Sequence, residues 1–390
     1  AALQSGAQPR LAALAAALAR ALPEQGLTLA IIAGSLPELM QRIASALTQL
    51  CKFPLPPHSS AEILSSLAGN GWGGEGERLQ NIYFPHPWTA DEHPPRLAVL
   101  FPGQGSQYPG MLRELAVALP ELAATLEQAD AALADSLKAA LSTFIYPPRR
   151  FTLETEKEAR RRLTCTEIAQ PALGAVEAGL WVWLQTLNLQ PALAAGHSYG
   201  EYVALHAADV FDLKTLLCLS EARGRFIVEA AAGGKLGTML VARADVESVR
   251  MALQGVEGVT FANYNAPQQL ALSGSTAAIE QARQVLAAHN IVTVSLPVAA
   301  AFHSPIVEPA RARLAAFMAG LPFQSPAFMV YSNSALDPYP REPAEIRSRL
   351  AAHLTEPVNF TGEIEAMYAA GARLFLEVGP RNVLTRLTQQ

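Results

Sequence analysis

The five residues Gly196-His197-Ser198-Tyr199-Gly200 constrain this chain more than any other stretch, because they form a G-x-S-x-G sequence. In a nucleophile elbow this pattern places a serine on a sharp strand-to-helix turn, where only small neighbours fit. The apolar run 192–196 predicts a buried strand before the turn, and residues 201–208 predict a helix after it. Free N–H groups at the start of such a helix stabilise a developing oxyanion. This context favours a nucleophilic Ser198 over a chance match in a loop.

Composition limits the classes of protein to consider. A chain of 390 residues is too long for one ordinary core, so two or three domains are expected. The net charge of −5 gives no reason to expect a nucleic-acid partner. Cys51, Cys165 and Cys218 lack metal-site spacing, which predicts free thiols, no metal and a reducing, cytoplasmic location. No apolar run reaches the ~18 residues that a membrane span needs, so no membrane contact is expected.

The first part of the chain, residues 1–94, is interpreted as a small α/β unit without a catalytic constellation. The pattern predicts helices over residues 9–22 and 37–50 and strands over 27–33 and 79–84. Four prolines between residues 85 and 95 then mark a boundary. Because the chain begins Ala1-Ala2-Leu3 without methionine, we expect it to be a piece of a longer protein.

After residue 94 the pattern predicts an α/β domain with an α/β-hydrolase-like parallel-sheet core. Residues 97–101 predict a buried strand, which delivers Gln104 to the carboxyl edge, where open α/β sheets place their sites. Residues 234–298 change rhythm and follow the order β-α-β-β-α-β, which predicts an inserted ferredoxin-like subdomain. The expected large subdomain therefore consists of residues 95–233 and 299–390.

A serine nucleophile needs a base within hydrogen-bond reach, and the chain has eight histidines. His303 is the best candidate, because it ends an apolar run where the inserted subdomain returns to the main one. His197 is expected to point away from the turn and to be structural. His206, on the helix after the elbow, is expected to be satisfied within the core. Geometry must decide which histidine is the base.

With these residues in place, the chain resembles the acyltransferase domains of polyketide synthases and the malonyl-CoA:acyl carrier protein transacylases of fatty acid synthesis. Residues 1–94 resemble the linker domain that joins a ketosynthase to its acyltransferase in type I synthases. The motifs that carry the main resemblance occur in the same order: Phe101–Gln107, Gln170-Pro171-Ala172, Gly196–Glu201, Arg223-Gly224, Asn265-Ala266-Pro267, Ala301–Pro305, Pro357–Phe360 and Glu377–Pro380.

The resemblance implies a role for each residue at the reacting centre. Ser198 matches the acylated nucleophile, and His303 matches its base. A main-chain carbonyl, here at His353, would orient the base. Gln104 and the backbone N–H of Tyr199 match the oxyanion hole, although Tyr199 is bulkier than the usual aliphatic residue.

The resemblance also implies residues that bind the substrate. Arg223 matches the guanidinium that holds a carboxylate by parallel charge-assisted hydrogen bonds. The residues 300–303 read Ala-Ala-Phe-His, whereas malonyl-selective members read His-Ala-Phe-His and methylmalonyl-selective members read Tyr-Ala-Ser-His. Phe302 is therefore expected to exclude a branched α-carbon, while Ala300 departs from the pattern. The remaining polar residues assigned to the substrate site are Gln170, Asn265 and His197.

The implied function is transfer of a malonyl group from malonyl-CoA through an acyl-serine to the phosphopantetheine thiol of an acyl carrier protein, in polyketide or polyunsaturated fatty acid synthesis. No bound cofactor is expected, and the expected neighbour is a ketosynthase, contacted through residues 1–94. An acyl hydrolase, with water as the acceptor, is one alternative, and Arg223 argues against it. A non-catalytic scaffold domain is another, and the intact Ser198, His303 and Gln104 argue against that.

Overall fold

The computed structural model describes residues 30–31, 35–50, 82–83, 96–148, 152–230, 237–296, 298 and 300–390. The chain divides into two compact units, residues 1–94 and 95–390. In the first unit, strand β1 (Ala30–Ile31) is followed by helix α1 (Leu36–Leu50) and pairs antiparallel with strand β2 (Ile82–Tyr83). The helix predicted over residues 9–22 lies outside the described residues.

The second unit alternates helices and strands. Its elements up to the nucleophile are β3 (Arg96–Phe101), α2 (Arg113–Ala118), α3 (Pro120–Ala132), α4 (Leu141–Ile145), α5 (Leu153–Thr164), α6 (Thr166–Thr186) and β4 (Leu193–Gly196). The next elements are α7 (Gly200–Ala207), α8 (Leu213–Ala230), β5 (Thr238–Arg243), α9 (Val246–Ala252), β6 (Val259–Ala266), β7 (Gln269–Gly274), α10 (Thr276–Ala288) and β8 (Val292–Ser295). After a short 3₁₀ turn (Pro305–Val307) come α11 (Glu308–Ala319), β9 (Met329–Val330), α12 (Pro343–Ala352), α13 (Phe360–Ala369), β10 (Ala372–Glu377) and α14 (Val383–Thr388).

The main sheet has the strand order β10–β3–β4–β9, and all its strands run parallel. Alternate residues of β3 enter different cores. Val99 and Phe101 pack in the larger core with α6 and α8, whereas Ala98 and Leu100 pack with α13 and α14 on the other face. Burial on both faces explains the continuous apolar run of β3, and it confirms the predicted α/β class with a parallel sheet.

The inserted subdomain has the predicted β-α-β-β-α-β order, and its antiparallel sheet is arranged β6–β7–β5–β8. It has its own core, which includes Leu240, Leu272 and Leu286. Strand β6 is joined to the large subdomain, because the N–H of Tyr264 donates to the carbonyl of Val358 at 2.8 Å. This junction places the end of β6 beside the nucleophile turn.

The turn between β4 and α7 packs directly on the end of β3. A Cβ atom on Gly196 would overlap the backbone of Gly200, and one on Gly200 would overlap the carbonyl of Phe101. The two glycines of the motif are therefore required by close approach of the backbone.

The sequence pattern predicts no helix after the final strand, but the structure has one there, α14. It has only six residues. The carboxylate of Glu377 accepts hydrogen bonds from the N–H groups of Leu384 at 3.0 Å and Thr385 at 2.8 Å, and so holds its first turn. A helix this short depends on such tertiary contacts, which periodicity does not reveal.

The bulk of Tyr199 is accommodated by a glycine on α6. The Tyr199 hydroxyl lies 2.7 Å from Oγ of Ser220, and a Cβ on Gly174 would overlap that hydroxyl. We expect Gly174→Ala to lower the free energy of unfolding by about 1–3 kcal/mol, the usual cost of overpacking. Combining it with Tyr199→Phe, which removes the overlapping oxygen, should relieve most of this cost. Urea unfolding of both single variants and the double variant measures the coupling, and an equal cost in both backgrounds would contradict the assignment.

Candidate active site

Ser198 lies on the turn between β4 and α7 in the left-handed conformation, with φ 54°. Its Oγ lies 2.7 Å from Nε2 of His303, within hydrogen-bond distance. Left-handed backbone is rare for residues with a side chain and is found where surrounding structure enforces it. The structure therefore places the predicted nucleophile, Ser198, within hydrogen-bond distance of the predicted base, His303.

His303 is 1% exposed, and its Nδ1 lies 2.8 Å from the carbonyl oxygen of Glu356. A carbonyl can only accept, so Nδ1 carries the proton and Nε2 is left to accept the hydroxyl proton of Ser198. Burial, followed by the positive charge of Arg223, lowers the pKa of His303 to about 3. The imidazole is therefore neutral near pH 7, which leaves Nε2 unprotonated and able to accept a hydrogen bond from Ser198.

The carbonyl hydrogen-bonded to His303 is that of Glu356, three residues beyond the expected His353, whose carbonyl acts on the ring more weakly. The N–H groups of Thr355 and Glu356 both bind the carbonyl of Ala352, so the chain makes one more turn after α12 and brings the Glu356 carbonyl to the ring. Burial lowers the pKa of His303, and the carbonyls of Glu356 and His353 oppose that lowering, in this order of strength.

His206 and His197, which lie near the nucleophile turn, have different surroundings. Nδ1 of His206 lies 2.9 Å from the carbonyl of Phe211, which confirms that it is satisfied within the core. The sequence predicts that His197 points away from the turn, but the structure shows otherwise. His197 lines the cavity that contains Ser198, and its Nε2 lies 2.7 Å from Oδ1 of Asn265.

Gln104 and Tyr199 line the same cavity as Ser198. The backbone N–H of each has no acceptor among the residues that the structure describes. The side chain of Gln104 is held in place, since Nε2 donates to Thr166 at 3.4 Å and Oε1 accepts from Gln170 at 3.2 Å. Gln170 is fully buried behind Gln104 and does not line the cavity.

A cavity of about 230 Å³ opens above Ser198 between the two subdomains. Arg223 and Phe302 line it from the large subdomain, and Asn265 lines it from the end of β6. The apolar residues Leu384 and Leu387 of α14 form part of its wall. The sequence-predicted substrate residues other than Gln170 thus share one cavity with the nucleophile.

Arg223 is a buried cation that has no counterion among the described residues. Its side chain comes from α8 and is only 1% exposed, and Nε and Nη2 have no hydrogen-bond partner within the described part of the chain. The guanidinium carbon lies 5.3 Å from the centre of the Tyr202 ring, which fixes its orientation. A desolvated charge of this kind is costly unless an anion binds to it. The arrangement favours a substrate that carries a carboxylate.

Comparison with known proteins places this geometry in a family. Residues 99–390 match the acyl transferase domain family. The chain belongs to this family. A malonyl CoA-acyl carrier protein transacylase from Salmonella typhimurium is 35% identical over 300 residues, which cover 76% of this chain and 92% of the relative.

Two solved structures extend the comparison. A malonyl transacylase, solved in complex with the acyl carrier protein of a type II polyketide synthase, is 34% identical with a TM-score of 0.68, over 75% of this chain and 92% of that one. The acyltransferase domain from the second module of the salinomycin polyketide synthase is 28% identical with a TM-score of 0.72. That match covers 100% of this chain and 80% of the other.

The acyltransferase also contains a positioning residue that the sequence analysis does not identify. Asn333 follows β9, is 0% exposed, and accepts the N–H of Ser198 on Oδ1 at 2.7 Å. Its Nδ2 donates to the carbonyl of Gly196 at 2.7 Å and to Glu363 at 2.8 Å. One side chain thus binds the backbone on both sides of His197, in the first half of the nucleophile turn. The available signal was a polar residue just beyond the apolar run 328–331, at the carboxyl edge of the sheet.

Buried carboxyl groups support Asn333. Glu201 accepts its backbone N–H and the hydroxyl of Tyr339. Burial raises the pKa of Glu201 to about 8 and raises the pKa of Glu363 well above its usual value. Both carboxyls are therefore protonated over much of the neutral range, which removes the cost of burying two charges beneath the turn.

The cysteines, potential metal ligands and helices of the acyltransferase can also be compared with the expectations from sequence. Cys165 and Cys218 are free thiols, as predicted, and Cys51 lies outside the described residues. Within the described ranges, no cluster of three or more potential ligands could hold a metal ion. None of the described helices combines the length and the apolar character that crossing a membrane requires.

We expect Asn333→Ala to slow acylation of Ser198 by roughly 10- to 100-fold with little change in KM, because a small misplacement of a reacting group costs about this much. Asn333→Asp keeps an acceptor for the Ser198 N–H and should retain more activity than the alanine variant. Single-turnover acylation rates and KM measure the effect.

Ser275→Ala provides the matched control. Ser275 caps α10, accepting the N–H of Ala278 at 3.1 Å, and does not line the cavity. Its loss should lower stability by about 0.5–2 kcal/mol, the usual value of a helix cap, and leave the acylation rate unchanged. Comparable rate losses in both variants would show that Asn333 acts only through general stability.

Proposed function

We propose that residues 95–390 transfer a malonyl group from malonyl-CoA to the phosphopantetheine thiol of an acyl carrier protein. The observation that carries this proposal is the buried, unpaired Arg223 in the same cavity as the Ser198–His303 pair. A malonyl thioester offers a carbonyl for the serine and a carboxylate for the guanidinium. The names of the transacylases to which the chain is similar support the same substrate and acceptor.

In the first half of the proposed reaction, His303 takes the proton of Ser198 on Nε2 as Oγ attacks the thioester carbonyl. The N–H groups of Gln104 and Tyr199 bind the resulting oxyanion, and Arg223 holds the malonyl carboxylate. Collapse of the intermediate breaks the carbon–sulfur bond, and the imidazolium of His303 returns the proton to the departing CoA thiolate.

In the second half, the malonyl-serine ester accepts the carrier thiol. His303 removes the thiol proton as sulfur attacks the ester carbonyl, and the same N–H groups stabilise the oxyanion. The carbon–oxygen bond to Ser198 then breaks, and His303 protonates Oγ. The enzyme returns to its starting state after this ping-pong cycle, which uses no bound cofactor.

For the rest of the chain, we propose that residues 1–94 form a linker domain to a neighbouring ketosynthase of a polyketide synthase. We propose a large subdomain of residues 95–233 and 299–390 and a ferredoxin-like subdomain of residues 234–298. The polyketide synthase structure that matches the whole chain supports this division. The free thiols Cys165 and Cys218 support a cytoplasmic location.

Incubation with labelled malonyl-CoA and intact-mass measurement tests the proposed function. We expect a malonyl adduct that persists without carrier and transfers when carrier is added. Ser198→Ala should abolish the adduct, and His303→Ala should slow its formation by roughly 10²–10⁴-fold. Rapid loss of the adduct to water would indicate a hydrolase, and absence of an adduct in the wild type would indicate a scaffold domain.

The role of Arg223 predicts a change in acyl selectivity. Arg223→Ala should weaken malonyl transfer by about 1.5–3 kcal/mol, the range for a hydrogen bond to a charged group. Acetyl transfer should fall much less, because an acetyl group has no carboxylate to bind. Arg225→Ala is the matched control, since Arg225 is half-buried on the same helix and pairs with Glu221. Equal losses for acetyl and malonyl in Arg223→Ala would contradict the carboxylate role.

The position of Phe302 predicts that malonyl groups are preferred to methylmalonyl groups. It is 6% exposed, lines the cavity and directly precedes the base. One methyl group in a pocket is worth about 10- to 200-fold, so malonyl-CoA should be preferred by a factor in this range. Phe302→Ser should narrow the ratio when the two thioesters compete in one reaction.

A core phenylalanine away from the cavity controls for lost packing. Phe323 is 7% exposed and packs against Phe211 with ring centres 5.0 Å apart, outside the cavity. Phe323→Ser should lower stability and leave the malonyl-to-methylmalonyl ratio unchanged. If the ratio is also unchanged in a folded Phe302→Ser protein, Phe302 is not the selector.

A further inference from the structure

Arg381 occupies a backbone conformation that ordinarily favours glycine. It follows β10 in the sequence Gly379-Pro380-Arg381-Asn382 and has φ 70°. Left-handed backbone is unfavourable for a long side chain, whereas glycine adopts it freely. Strained residues of this kind concentrate at functional sites.

Two contacts hold Arg381 at the rim of the catalytic cavity. Its Nε donates to the carbonyl of Ser106 at 3.0 Å, and its guanidinium carbon lies 5.2 Å from the centre of the Tyr108 ring. Ser106 and Val383, two residues beyond Arg381, both line the cavity. The guanidinium is thus attached to the loop that also carries Gln104.

The apolar cavity wall becomes more exposed to solvent toward Arg381. Leu384 is 1% exposed and Leu387 is 8% exposed, whereas Val383 beside Arg381 is 40% exposed, so these apolar residues lead from the interior to the solvent. Arg381 itself is exposed. Its Nη1 and Nη2 groups make no hydrogen bond or ion pair to any residue in the described part of the chain. An apolar wall that ends in a free cation fits a ligand with a flexible, largely uncharged arm and an anionic end.

We propose that Arg381 binds the phosphate ester at the end of the pantetheine arm. The proposal rests on the proposed function, because both of its substrates carry this group: CoA in its pyrophosphate and the carrier protein in its phosphodiester. Each thioester or thiol must reach Ser198 through the cavity while its phosphate remains outside. A guanidinium provides parallel donors that match phosphate oxygens. One residue at the rim then serves both halves of the cycle.

The test compares donors that differ only beyond the pantetheine arm: malonyl-CoA, malonyl-phosphopantetheine and malonyl-pantetheine. Arg381→Gly suits the left-handed backbone and should fold at least as well as the wild type, which thermal unfolding checks. We expect kcat/KM to fall about 5- to 20-fold for the two phosphate-bearing donors. For malonyl-pantetheine it should change less than about twofold. Arg381→Lys should keep part of the lost rate, because it retains the charge without the fork geometry.

The acceptor half-reaction separates the two sources of phosphate. Preformed malonyl-enzyme is mixed with holo carrier protein, with phosphopantetheine or with pantetheine. If Arg381→Gly lowers the transfer rate to both phosphate-bearing acceptors, Arg381 also binds the phosphate of the carrier. If the rate falls only in the donor half-reaction, Arg381 binds CoA alone, and the shared role is wrong.

Arg373→Ala is the matched control. Arg373 lies at the other end of β10, donates to the carbonyl of Tyr368 at 2.7 Å and stacks on that ring at 4.0 Å. Its loss should not change the rate with any donor. Equal losses in Arg381→Gly with and without phosphate would overturn the inference, because the residue would then act on the arm or on the loop. A wild type inactive with every donor would instead overturn the proposed function.

Discussion

The hydrogen bond from the N–H of Ser198 to Oδ1 of Asn333 is the interaction on which the rest of the site depends. It occupies the N–H of Ser198, so the proposed oxyanion donors are the N–H groups of the next residue, Tyr199, and of Gln104 in the loop after β3. Because Asn333 also binds the carbonyl of Gly196, it ties the ends of β4 and β9 together at the carboxyl edge of the sheet. The left-handed turn is therefore held by a residue 135 positions away in the chain.

Charge in this site is controlled by burial. The carboxyls of Glu201 and Glu363 beneath the turn have raised pKa values, and burial, reinforced by the guanidinium of Arg223, lowers the pKa of His303. The free enzyme thus has a neutral His303 beside a cation that no described residue pairs with. A bound carboxylate would neutralise that cation and bring the site to electrostatic balance. Arg223 therefore lowers the pKa of His303 and, in the proposed function, also binds the substrate carboxylate.

The two subdomains complete the cavity together. The large subdomain supplies the nucleophile, base and cation, while β6 of the inserted subdomain supplies Asn265, which binds His197 at 2.7 Å. The backbone bonds between β6 and the segment around Val358 hold this wall in register. Since Val358 follows Glu356, the same segment also orients His303, so the position of the base and the width of the cavity depend on one short stretch of chain.

The sequence by itself determined the local features of this protein. Continuous apolar runs predicted the strands of a parallel sheet, the glycines of the elbow predicted a close-packed turn, and the chain order predicted the inserted subdomain. Tertiary structure alone decided which carbonyl orients His303, that Gln170 stands behind Gln104, and that Gly174 makes room for Tyr199. It also decided the start of α14 and the role of Asn333. The physical reason is range: periodicity and steric demand act between neighbours in sequence, whereas these partners meet only after helices and strands pack.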